Sequence, residues 1–164
     1  GIAVVRVASI EASGAGNSGA PFITFNFVDG TGKTASIKFF MSEKAVPMST
    51  KKIKHIATKI VTEEQVDGIN APTLEAWATA LSSLIVGRDV RIKFNGEEVQ
   101  GKEGKKNWFK ATLGLPVFAE KVSTSASETK LKFDETNTYD MKRLPAYTTP
   151  SLLGGASAPD DLPF

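Results

Sequence analysis

Residues 22–28 and 34–40 each alternate between two sets of side chains, and Asp29-Gly30-Thr31-Gly32 lies between them. A period of two marks an extended strand with one face against a core, and Asp-Gly is a strong signal for a tight reversal. The segment therefore predicts a β-hairpin with Ile23, Phe25, Phe27, Ala35, Ile37 and Phe39 on one face. Phe22, Thr24, Asn26, Ser36, Lys38 and Phe40 occupy the other.

The flanking segments extend this pattern. Residues 2–10 are rich in β-branched and small apolar side chains and predict a strand, followed by a mobile Ser, Gly, Ala and Asn loop over 11–21. Ile53, Ile56, Ala57, Ile60 and Val61 then recur at helical spacing, with Lys51, Lys52, Lys54 and Lys59 around them. A second helix follows Ala71-Pro72-Thr73, buries Leu74, Trp77, Ala78, Leu81, Leu84 and Ile85, and stops near Gly87. Strands are expected again at 88–94, ending in an Asn95-Gly96 turn, and at 108–113, with 117–122 extending or closing the sheet.

Three strands, a helical segment and two strands give an all-β core with a helical insert. That order is the order of an OB-fold, a five-stranded Greek-key barrel with helices between its third and fourth strands. From residue 123 the composition shifts to Ser, Thr, Pro, Gly and Ala. The expected division is a folded domain over 1–122 and a disordered C-terminal tail over 123–164, with a short ordered patch at 131–133.

Composition narrows the chemistry. With no Cys and one His in 164 residues, thiolate metal sites and paired-imidazole sites are excluded, and no cofactor or metal is expected. Gly30-Thr31-Gly32-Lys33-Thr34 imitates the end of a phosphate-binding loop, but Phe27 stands where the first Gly is required and a strand follows in place of a helix. Glu63-Glu64 and Glu97-Glu98 read as solvated pairs and His55 as a surface residue or a minor phosphate contact, so no catalytic constellation is expected and the chain reads as a non-enzyme. No apolar run reaches the roughly 20 residues of a membrane span, and the expected setting is soluble and cytoplasmic, without membrane contact.

Charge is divided along the chain. Residues 1–122 hold sixteen Lys and Arg against twelve Asp and Glu, whereas 123–164 hold four against six. Outward strand parity collects Phe22, Thr24, Asn26, Lys38, Phe40, Arg91, Lys93, Trp108 and Lys110, with Lys102, Lys105 and Lys106 in a basic finger beside them. Rings that stack on bases and cations that follow a phosphate chain are what single-stranded nucleic acid requires.

The chain ends Asp160-Asp161-Leu162-Pro163-Phe164, an acidic pair before an apolar hook, suited to a partner's apolar pocket rimmed by Lys or Arg. This tip resembles that of single-stranded-DNA-binding proteins of bacteria and phages, and with the expected barrel the whole chain resembles a phage-type member. The resemblance implies non-enzymatic coating and protection of single-stranded DNA during replication, recombination and repair. It also implies recruitment of replication and recombination proteins by Asp160, Asp161, Leu162, Pro163 and Phe164, a bacterial host cell as the setting, and a homo-oligomer as one assembly. An OB-type RNA-binding module and a replication-complex adaptor without nucleic acid affinity stand as alternatives.

Overall fold

The computed structural model describes residues 1–14 and 19–145. Strands β1 (Ile2–Ser13), β2 (Phe22–Asp29) and β3 (Thr34–Phe40) form an antiparallel meander. The hairpin turn between β2 and β3 is tied by the Asp29 carboxylate, which accepts hydrogen bonds from the backbone N–H groups of Thr31 (2.8 Å) and Lys33 (2.9 Å). Ile23, Phe25, Phe27, Ile37 and Phe39 are buried, in line with their parity. Burying a side chain of that size stabilises a fold by roughly 1.5–3 kcal/mol, so this face is the main source of cohesion in the meander.

β1 contains a feature its sequence does not announce. The register with β2 shifts between Val7 and Ser9, and the bulge moves the inward parity from Val5 and Val7 to Ile10. Without it Ile10 would face solvent.

The helical insert covers the core. α1 (Val46–Ala57) buries Ile53, Ile56 and Ala57, and the Ser49 hydroxyl donates to the Phe40 carbonyl (2.6 Å), fixing the helix to the end of β3. α2 (Glu63–Asp67) is a short helix held by a capping box between Thr62 and Gln65. α3 (Leu74–Ile85) is capped by the Thr73 hydroxyl and buries Ala78, Leu81 and Ile85.

β4 (Asp89–Val99) is the central strand. On one flank it pairs with β1; on the other with β5 (Trp108–Leu113) and β6 (Ala119–Glu120). A last strand, β7 (Met141–Lys142), runs parallel to it at Gly96 and Glu97. Asn95-Gly96 is therefore mid-strand and not the expected turn. At Gly96 the Met141 thioether packs directly over the strand: a Cβ there would lie 2.6 Å from its sulfur, and the flexible side chain would have to turn aside.

The expected closed OB barrel is not formed. The hydrogen-bonded order is β3-β2-β1-β4-β5, with β6 and β7 added on β4, and no ladder joins β3 to β5. The seven-stranded sheet stays open, giving a mixed α/β architecture instead of a five-stranded Greek-key barrel. Strands β1 to β3 and β5 were legible, β4 only as far as Phe94 and β7 not at all; the inference from strand order to a closing pair failed as well.

The tail expected from residue 123 instead begins as a strap across β4. The Glu120 carboxylate accepts from the Thr129 hydroxyl (2.7 Å) and the Lys130 N–H (2.6 Å), and Leu131 is buried. Lys93 pairs with Asp140 at 2.7 Å, Asn95 donates to the Tyr139 carbonyl, and the Leu144 N–H reaches Glu98. No helix among the described residues is long and apolar enough to cross a membrane.

Candidate functional site

Two surfaces carry chemistry. The first is the outward face of β2 and β3, where cross-strand register sets Phe22 opposite Phe40, Thr24 opposite Lys38 and Asn26 opposite Ser36. The Phe22 and Phe40 rings are 5.8 Å apart, and the Lys38 ammonium lies 4.7 Å from the Phe22 centroid. Asn26 is committed locally, donating to Ser9 (2.8 Å) and accepting from Ser36 (2.6 Å).

The expected continuation of this face across β4 and β5 is broken up. Lys93 is buried beneath the strap with its ammonium on Asp140, and a Cβ at Gly114 would collide with its alkyl stem at 2.5 Å. Arg91 is turned toward Glu120 (3.8 Å) and donates to the Val122 carbonyl (3.4 Å). Lys110 pairs with Glu97 at 3.3 Å. Trp108, Lys102, Lys105 and Lys106 are exposed on β5 and the β4–β5 connection. Phe109, which parity reasoning passed over, is also exposed, with the Arg143 guanidinium 5.5 Å from its ring. The tip residues Asp160, Asp161, Leu162, Pro163 and Phe164 lie outside the described residues.

The second surface was not foreseen. A cleft of about 920 Å³ opens between the end of α1, the α1–α2 connection, the start of β4 and the residues after β6. Lys51, Lys54, His55, Lys59, Arg88 and Lys121 line it, against only Glu63 and Asp89. Both carboxylates are already engaged, Glu63 with Lys54 at 2.8 Å and Asp89 with Arg6 at 3.1 Å. Hydrogen bonds to Glu63 and Asp67 hold the Lys54 pKa above its ordinary range. Among the described residues, Lys51, Lys59, Arg88 and Lys121 have no carboxylate within 4.0 Å.

Ile60, Val61 and Val122 add apolar surface to the cleft, the Thr58 and Thr62 hydroxyls are engaged with the Lys54 carbonyl and Gln65, and no Phe, Tyr or Trp lines it. The lysines on α1 were visible in the sequence. Their convergence with Arg88 and Lys121, some thirty and sixty residues away along the chain, was not, because it depends on β6 returning to β4 beside the helix.

No family model matches this chain, and no curated protein matches it in sequence. The resemblance to single-stranded-DNA-binding proteins is thus overturned: the barrel it needed is an open sheet. The expected single-stranded DNA coating, its RNA-binding variant and its replication setting fall with the barrel. The stacking groove they assumed is interrupted where Arg91 and Lys93 turn into ion pairs. Among the described residues no group of three His, Asp or Glu side chains is placed to hold a metal ion.

Proposed function

We propose that this chain is a non-catalytic docking module that receives acidic segments of partner proteins in the cleft beside α1. The observation that carries this reading is the convergence of Lys51, Lys59, Arg88 and Lys121 without carboxylate partners in a concave site. Like charges gathered in a cleft focus a positive potential and raise the local concentration of anions.

The lining selects among anions. A polymer of bases gains about 1–3 kcal/mol for each base that stacks on an aromatic ring, and this cleft offers no Phe, Tyr or Trp. Asp and Glu side chains need only cations for their carboxylates, and an apolar strip for their methylenes. Lys51 and Lys59 supply the first, Ile60 and Val61 the second.

Fluorescence anisotropy with a fluorescein-labelled hexa-aspartate peptide tests the reading. Binding is expected at 50 mM salt and should weaken steeply toward 500 mM as the charges are screened. Lys59→Glu combined with Lys121→Glu should weaken it at least tenfold, whereas Lys102→Glu with Lys105→Glu, outside the cleft, should change it less than twofold. Absence of binding at low salt, or equal loss from both double variants, would refute a role for the cleft.

A further inference from the structure

His55 is the one imidazole in the chain, and it sits in the wall of the basic cleft. Its ring lies against Phe118, centroids 4.5 Å apart, and the Ala119 backbone carbonyl favours a proton on the ring. Nε2 is buried and has no hydrogen-bond partner. A buried nitrogen without a partner is unfavourable, and a proton placed there has nothing nearby to receive it until an acceptor or an opposing charge arrives.

We infer that occupation of the cleft by carboxylates is coupled to protonation of His55, so that the module holds acidic segments more tightly as the pH falls from 7.5 to 5.5. This rests on the proposed function. The surroundings of the ring determine the sign. α1 and its C-terminal extension present Lys51, Lys54 and Lys59, β4 begins with Arg88 and Asp89, α2 contributes Glu63, and β6 and the residue after it contribute Glu120 and Lys121. Three of these acids are already occupied: Glu63 by Lys54, Asp89 by Arg6, and Glu120 by Arg91, Thr129 and Lys130.

With the cleft empty, burial and then the Lys59 charge hold the imidazole below its ordinary range, so it is neutral near pH 7. A carboxylate-bearing peptide reverses the local field and favours the imidazolium. The proton comes from solvent and no bond in the peptide changes. By linkage, a rise of one pKa unit on filling the cleft corresponds to about a tenfold gain in affinity at pH below both values. His55 is thus a positioning and tuning residue, acting on the ligand through charge.

Because there is a single His, its Hε1 resonance can be followed in the intact wild-type protein by NMR, with and without saturating hexa-aspartate, between pH 5 and 8. The ring pKa should rise by at least about half a unit on saturation, equivalent to a gain of about threefold in affinity, and calorimetry in buffers of different ionisation enthalpy should register proton uptake near pH 6. His55→Gln should abolish that uptake and flatten the pH dependence. Binding at pH 7.5 with an unmoved ring pKa and no proton uptake would overturn the coupling alone. No binding at any pH would overturn both the coupling and the docking function.

Discussion

Replacing Asp140 by Ala should strip the strap from β4. The Asp140 carboxylate lies 2.7 Å from the Lys93 ammonium, both side chains are about one-ninth exposed, and it also accepts from the Asp134 N–H at 2.9 Å. Removal leaves Lys93 charged under the strap, with its stem confined against Gly114. An exposed ion pair contributes about 1 kcal/mol or less, whereas breaking a fully buried pair costs about 3–5 kcal/mol. This pair is covered only by the peripheral strap, which places the expected loss between these limits, at about 2–3 kcal/mol. For a chain of this size that lowers Tm by roughly 5–10 °C. Thermal unfolding by circular dichroism measures it, and Lys93→Met with Asp140→Ala should recover at least half the loss, since the covered lysine charge is removed with its partner. Limited trypsinolysis at Lys130 and Lys132 should accelerate in the single variant. A Tm within 2 °C of wild type, or a double variant no more stable than the single one, would refute the pairing as the anchor.

Two further outcomes concern the same region. Gly96→Val should push the flexible Met141 thioether aside and destabilise the fold by about 1 kcal/mol, and urea denaturation should show it as a slightly lower midpoint. Acid should release the strap before the core: the Lys93 hydrogen bond and the Asp134 N–H hold the Asp140 carboxyl below its usual range. Burial opposes ionisation of Glu120, but hydrogen bonds from Lys130, Thr129 and Leu131 outweigh it and hold that carboxyl low as well. Groups depressed in this way stabilise above about pH 4 and lose that contribution as pH falls through their folded values, so protease sensitivity at Lys130 should rise between about pH 4 and pH 2 while far-ultraviolet circular dichroism changes little.

The local grammar of the chain was readable: the period of two placed Phe25, Phe27 and Phe39 inside, and helical spacing placed Ile53, Ile56 and Leu81 inside. What was not readable depends on partners distant along the chain. Lys93 has the parity of an exposed strand residue and is buried because residues 121–144 return over it. Asn95-Gly96 has the composition of a turn, but its glycine admits Met141. Whether β3 and β5 join is a matter of sheet curvature, which alternation does not encode. The basic cleft escaped for a similar reason, since Arg88 and Lys121 meet α1 only through the pairing of β6 with β4.

The position of β4 also bears on how the chain is made. Its pairing with β1 joins Ile2 to Lys93, so the amino-terminal meander leaves the ribosome with its phenylalanine-rich face complete long before the strand that flanks it exists. α1, α2 and α3 are synthesised in that interval. Besides covering the finished core, the insert is thus made before β4 and is available earlier than that strand to shelter Phe25 and Phe27 from other nascent chains.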